Sequence, residues 1–183
     1  MHLDPASHDD LPALHALIES AYRGDSARRG WSHEADLLDG QRTDLAALDA
    51  MLADSAQHLL VFRDGDRLRA CVALTDKDAR LAYLGMLTVD PREQGTGLGK
   101  LILAAAEDHA ADRFAADRIE MTVIAQRDEL IAWYERRGYA QTGERRPFPA
   151  HDPRFGRPKR DDLAFVVMEK RLAQAAKSKV DPT

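Results

Sequence analysis

Gly95, Gly97 and Gly99 lie between two apolar runs, an arrangement able to hold phosphate oxygens. The stretch Leu87-Thr88-Val89-Asp90-Pro91-Arg92-Glu93-Gln94-Gly95-Thr96-Gly97-Leu98-Gly99-Lys100 reads as a strand followed by a glycine-rich turn. Leu101-Ile102-Leu103-Ala104-Ala105-Ala106 then continues as a helix. Glycine has no Cβ, so the backbone can turn sharply and bring its N–H groups close to a ligand. The start of a helix adds unpaired N–H donors and the positive end of the helix dipole. Two common phosphate motifs fail here. A P-loop would need glycine where Gln94 stands and Ser or Thr where Leu101 stands, and a dinucleotide fingerprint would need glycine at Lys100. What remains is Gln94-x-x-Gly97-x-Gly99.

A second constellation follows one strand and one helix later, in Ala132-Trp133-Tyr134-Glu135-Arg136-Arg137-Gly138-Tyr139. A phenol with an ordinary pKa of about 10 carries its proton at neutral pH, so Tyr134 can act as an acid. In this order and setting the two motifs resemble the GNAT superfamily of N-acetyltransferases, over most of the chain from the first helix to Glu169. The resemblance implies an α/β fold with a mixed, mostly antiparallel sheet, a splayed central strand and flanking helices. It also implies acetyl-CoA as acetyl donor and a primary amine as acceptor, attacking the thioester directly.

Carried onto this chain, the family pattern assigns the CoA pyrophosphate to Gln94, Gly95, Thr96, Gly97, Leu98, Gly99 and Lys100. Leu87, Thr88 and Val89 would pair with the pantetheine arm, and a backbone N–H there would polarise the thioester carbonyl. Tyr134 would protonate the departing sulfur. Many members carry Asn shortly before the tyrosine helix, and this chain has Gln126-Arg127 there, so Arg127 or Gln126 takes that contact. The acceptor would be lined by the loop after the first helix and by residues 147–161. In the first of these, Tyr22, Arg28, Arg29 and Trp31 are the candidate contacts, because arginine forks suit carboxylates and aromatics suit a small pocket wall. A small acceptor bearing a carboxylate, such as an amino acid or short peptide, is the reading; polyamines and aminoglycosides remain open. The base is open too. Residues 81–86 hold no acid, which leaves Glu120, His109 or simple binding of the neutral amine. A non-catalytic acyl-CoA-binding module of the same fold is the alternative.

The elements that must position these residues are legible as changes of period. A short first strand is expected within residues 1–6. Asp9 or Asp10 caps a helix carrying Leu11, Leu14, Leu17, Ile18 and Tyr22, which ends in a loop at Arg23-Gly24-Asp25. Ser32, Ala35 and Leu38 predict a short helix stopped by Gly40, and Thr43 predicts the cap of another through Leu45, Leu48, Met51 and Leu52. A hairpin follows, 58–63 and 67–75 around Asp64-Gly65-Asp66, then a strand over 81–89 closed by Asp90-Pro91. Beyond it come helix 97–113, strand 119–124, helix 129–137, strand 139–143, a proline-rich loop and a last strand over 163–169. One domain over 1–172 with a loose tail over 173–183 is expected.

Bulk properties agree with this reading. The 183 residues are 44% hydrophobic and 31% charged, enough for one domain with a core. The net charge of −5 is uneven: residues 136–160 hold eight bases and two acids, which reads as a solvated loop rather than a nucleic-acid surface. Cys71 sits in an apolar run and reads as a small buried hydrophobe. His33-Glu34 is followed by Leu37 where a zinc protease needs histidine, and the other histidines lack ligand spacing, so no metal is expected. No basic-then-apolar leader opens the chain, and no apolar run nears the roughly 18 residues of a membrane helix. A cytoplasmic enzyme that binds neither membrane nor nucleic acid is expected, and a homodimer is compatible with it.

Overall fold

β1 (Asp4–Pro5) lies on the outer edge of the sheet against Val61 and Leu60, where a residue without an N–H is tolerated. A capping box between Ser7 and Asp10 leads into α1 (Leu11–Tyr22), with Pro12 in its first turn. These elements come from a computed structural model that describes residues 1–152 and 155–173; most of the expected loose tail lies outside the described residues. The chain continues through α2 (Gly24–Ala27), β2 (Leu38–Asp39) and α3 (Leu45–Ala53). Next come the hairpin strands β3 (Gln57–Asp64) and β4 (Arg67–Asp76), followed by β5 (Leu81–Val89) and α4 (Leu98–Arg113). β6 (Arg118–Ile124), α5 (Asp128–Glu135), β7 (Ala140–Pro147), β8 (Arg157–Pro158) and β9 (Ala164–Arg171) complete the order.

Seven strands form one sheet in the order β1-β3-β4-β5-β6-β9-β7, antiparallel at every pairing except β5 with β6; β2 and β8 pair separately. Alternation along β3 divides the core into two layers. Leu60 packs with Ile102 and Leu103 of α4 and Ile131 and Tyr134 of α5, whereas Leu59 and Val61 pack with Leu14 and Ile18 of α1 and Leu48 of α3. Helices therefore cover both faces, and the expected mixed, mostly antiparallel α/β sheet is present.

The feature that matters for function is the opening between β5 and β6. They pair only from Leu81 with Arg118 to Tyr83 with Glu120. β5 then stays with β4 and diverges from β6. Its ladder slips near Met86, which takes the left-handed backbone at φ +54° while Gly85 faces Ala73 and Thr88 faces Cys71. An irregularity of this kind bends a strand and redirects its side chains.

Four sequence expectations need correction. Residues 24–27 form the short α2 rather than a loop. Residues 32–40 make turns and the β2 bridge instead of a helix, because Glu34 is drawn inward by arginines and Leu38 pairs with Pro158. Asp44, not Thr43, caps α3, accepting from the Ala47 N–H at 2.7 Å; the Thr43 N–H is held by Glu19. β7 continues past Gly143 to Pro147, since Gly143 adopts φ +87° and lets the ladder slip there without ending.

Candidate active site

Two clefts meet where β5 and β6 part. The first, of about 330 Å³, runs from Leu87 and Val89 along the glycine turn to Trp133, Tyr134 and Arg137 on α5. Gly97 is the N-cap of α4 at φ +92°. The Leu98 N–H reaches Thr96 Oγ1 at 3.5 Å and the Lys100 and Leu101 N–H groups bond the Gly97 carbonyl, while the Gly97 and Gly99 N–H groups have no hydrogen bond to a described residue and are free to face a ligand. A Cβ added at Gly95 or Gly97 would meet nothing within 4 Å, so this part of the wall is open. Lys100 lines the same end without an ion pair to a described residue. Arg137 lies with its guanidinium 3.5 Å from the Trp133 ring centroid and donates to the Trp133 carbonyl, while its buried Nε has no partner. Burial and the neighbouring Arg136 lower its pKa. The cleft thus joins an apolar floor to a cationic, amide-rich end, which suits a long thiol ester carrying phosphates.

Leu87, Val89, Gln94, Gly95, Gly97, Gly99, Lys100 and Arg127 all line this cleft. Three other candidates for the donor site do not. The Thr88 side chain is buried and donates to the Met86 carbonyl at 3.0 Å, Thr96 donates to the Glu93 carbonyl at 2.7 Å, and Leu98 packs into the core. Gln94 also has structural work. Its Oε1 accepts from the N–H groups of Trp31 at 2.9 Å and Ser32 at 3.3 Å, and its Nε2 donates to the Val89 carbonyl at 3.3 Å. The amide thereby pins the loop at 31–32 to the end of β5. Gly30 permits that approach, because a Cβ there would lie 2.5 Å from Gln94.

Tyr134 lines both clefts. It is only 6% exposed, and its hydroxyl has no hydrogen bond to a described residue. Burial raises its pKa, with nearby Tyr22 adding to the effect. The phenol therefore keeps its proton well beyond neutral pH.

The second cleft, of about 170 Å³, lies on the β6 side of the opening. Phe148, Phe155 and Phe165 line it, the first and last with their ring centroids 5.4 Å apart, and the Tyr83 hydroxyl meets Thr122 at 2.7 Å. Charge is concentrated around Glu34. Arg23 Nη1 donates to its Oε2 at 2.5 Å, Arg127 Nη1 donates to its Oε1 at 3.3 Å, and Arg42 Nε stands 4.0 Å from Oε2. Burial alone would raise the Glu34 pKa, but Arg42, Arg127 and Arg23 outweigh it and hold the carboxyl below its usual range. Glu34 is therefore a fixed anion and a poor base.

The remaining candidates stand elsewhere. Glu120 accepts from Arg146 at 2.9 and 3.2 Å, and His109 contacts His58 at 2.7 Å beside Phe114; neither lines a cleft. Of the residues expected at the acceptor, Tyr22 lines both clefts, whereas Trp31 lines the first and not the second. Arg28 and Arg29 line neither cleft. α2 buries Ala27 inward and leaves both arginines exposed, with Arg28 paired to Asp36. Arg127 belongs to the site, yet its guanidinium is spent on Glu34 and the Ser32 carbonyl. Gln126 is turned to the Asp162 carbonyl. Sequence reasoning missed Glu34, Arg42, Tyr83 and Phe165, and it placed Arg23, Phe148 and Phe155 only within the two loops expected at the acceptor without singling them out. They come from separate segments, and no local pattern links them.

A profile described as the acetyltransferase (GNAT) family matches residues 13–139. The mycothiol acetyltransferase of Salinispora arenicola is 37% identical over 62 residues, 34% of this chain and 20% of that protein. The spermine/spermidine N(1)-acetyltransferase of Bacillus subtilis is 33% identical over 69 residues, 38% of this chain and 45% of that protein. The chain thus matches less than half the length of these relatives. Among solved structures, the ribosomal-protein-alanine N-acetyltransferase of Brucella melitensis superposes with a TM-score of 0.70 at 18% identity, covering 94% of this chain and 100% of the other. The ribosomal-protein-S18-alanine N-acetyltransferase of Escherichia coli gives 0.67 at 16%, covering 97% of each. At those identities the likeness is one of fold.

Proposed function

Because the chain belongs to the acetyltransferase (GNAT) family, we propose that it moves an acetyl group from acetyl-CoA to a primary amine by direct attack on the thioester. The observation that carries the proposal is the position of Tyr134, unpartnered and protonated, on the walls of both clefts. One cleft fits the donor and the other an amine, and the acid stands where they meet.

The donor is supported by residues present in this chain. The free Gly97 and Gly99 N–H groups at the start of α4, the open space at Gly95 and Gly97, Lys100 and the unpartnered Arg137 Nε suit phosphates, and Leu87, Val89, Leu130 and Trp133 suit the arm. When bound, acetyl-CoA supplies an activated acetyl ester of a good leaving thiol. The diverging half of β5 offers backbone groups with no β6 partner to align the arm and polarise the carbonyl. The amine nitrogen bonds to the acetyl carbon, the carbon–sulfur bond breaks, and Tyr134 gives its proton to the sulfur. Among the described residues, Glu34 is the one carboxylate lining the second cleft, and the arginines keep it charged without basic strength. The amine therefore reacts from its neutral form, and the proton it sheds is passed through water to restore the Tyr134 phenol.

Thiol release from acetyl-CoA, followed with a chromogenic disulfide across a panel of amino acids, peptides, polyamines and aminoglycosides, tests the proposal. Acceptor-dependent release supports it. Tight acetyl-CoA binding in calorimetry with no release for any amine would replace it with the non-catalytic acyl-CoA-binding reading.

A further inference from the structure

We infer that the acceptor is a small amine carrying a carboxylate, and that Arg42 is the residue that selects it. This inference rests on the acetyl-transfer reading and names the substrate class of that site. Three guanidinium groups converge on one carboxylate at the second cleft, so Arg23, Arg42 and Arg127 outnumber Glu34 by two charges. Two of the three are committed. Arg23 donates to Glu34 and reaches the carbonyls of Tyr22 and Phe155, and Arg127 donates to Glu34 and the Ser32 carbonyl.

Arg42 differs. Its guanidinium makes no hydrogen bond to a described residue: the Nε is buried without a partner, as is that of Arg23, and the nearest carboxylate oxygen, Glu34 Oε2, is 4.0 Å away. Its backbone is nevertheless fixed, because Glu19 Oε1 accepts from the Arg42 N–H at 2.7 Å and the Thr43 N–H at 2.9 Å. A buried donor without an acceptor is costly, and a planar guanidinium fork is matched by a carboxylate taking two parallel hydrogen bonds. The held position and the unmet donor together describe a receptor awaiting an anion.

Tyr22 relates this receptor to the chemistry. The Arg42 guanidinium carbon lies 5.2 Å from the Tyr22 ring centroid, and the Tyr22 hydroxyl donates to the Leu87 carbonyl at 2.8 Å. One phenol thus spans from the cation to the diverging strand. An acceptor with its carboxylate on Arg42 and its amine toward Leu87 needs only a few bonds between the two groups. The Phe148 and Phe165 rings, with centroids 5.4 Å apart, offer an apolar side chain a wall. Polyamines have no group for Arg42 and meet a cleft whose surplus charge repels them.

Matched acceptors test the idea: phenylalanine against phenethylamine, leucine against isopentylamine, with spermidine as the polycation. In the wild type, each amino acid is expected to exceed its decarboxylated twin by about 10–100-fold in kcat/KM, as one charge-assisted bidentate pair allows. Arg42→Ala should bring each pair of twins toward equality by raising KM for the acid twin, and Arg42→Lys should restore part of the preference. The KM for acetyl-CoA reports any general disturbance of the fold. Preference for the decarboxylated twins or for spermidine, or equal losses on both twins in Arg42→Ala, would overturn the assignment. If no amine is acetylated, the transfer reading fails by itself, and the twins are then titrated into acetyl-CoA-loaded protein. Binding of phenylalanine but not phenethylamine keeps the anion site; equal binding removes it.

Discussion

The Tyr22 hydroxyl donates to the Leu87 carbonyl at 2.8 Å, tying the last residue of α1 to the half of β5 that has left β6. That carbonyl is part of a backbone edge with no strand to satisfy it, so a side chain from another layer holds it in place. Tyr22→Phe removes the bond and keeps the ring beneath Arg42. A loss of about 0.5–1.5 kcal/mol in unfolding free energy is expected, the usual worth of one such bond. Turnover should fall more than stability implies, since the edge that aligns the thioester becomes free to shift. Equal kcat in a variant that melts at a lower temperature would confine Tyr22 to a structural role.

Gly97 gives a sharper test of the donor cleft. At φ +92° it occupies backbone space that side chains rarely adopt, and its neighbours leave room for a phosphate. Gly97→Asp adds a carboxylate where anions are held and strains the cap of α4. Acetyl-CoA affinity should fall below detection in calorimetry, with circular dichroism reporting that the sheet and helices persist. A folded variant that binds acetyl-CoA as the wild type does would place the phosphates elsewhere.

Tyr134→Phe isolates the proposed acid. Donor binding should remain, while kcat falls by about 10²–10⁴-fold, the range typical of positioned proton transfer. The pH dependence carries a second sign. Burial raises the phenol pKa above its ordinary value, so the donating form persists as pH rises. With no resident base, kcat/KM should climb toward the pKa of the acceptor amine, and no decline should set in before about pH 10. A descending limb near pH 8 that vanishes in the phenylalanine variant would contradict this account.

The parts of this site readable from sequence are those in which neighbours in the chain are neighbours in space. Gly97 and Gly99 with the helix they open, and Tyr134 with Gly138 and Tyr139, are each contained within a single turn or helix. Leu59, Leu60 and Val61 reveal their two faces through a period of two. The Glu34 cluster is different in kind. Arg23, Glu34, Arg42 and Arg127 come from four segments, and each looks like an ordinary surface charge until the chain folds. Residues 32–40 are misread for the same reason. Ala35 and Leu38 satisfy a helical period, but the pull on Glu34 and the two-residue pairing of β2 with β8 override it.

Glu34 itself provides the last test, because among the described residues it is the carboxylate paired with all three arginines. Its folded-state pKa is depressed, with the arginines overcoming the opposing effect of burial. The sign follows: the group contributes stability above the unfolded carboxyl pKa of about 4.3, and loses it as pH falls through the lower folded value. Glu34→Gln should therefore cost about 3–5 kcal/mol at neutral pH, the range for breaking a buried pair and leaving charge uncompensated. The difference between variant and wild type should begin to shrink as pH falls below the unfolded carboxyl value and be lost only below the lower folded value, where the wild-type carboxyl also becomes neutral. Denaturant unfolding at pH 7 and at acid pH measures both quantities. A variant as stable as the wild type at pH 7 would mean that solvent, rather than Glu34, neutralises Arg23 and Arg127. The acceptor cleft would then owe its shape to the aromatic wall and not to this charge cluster.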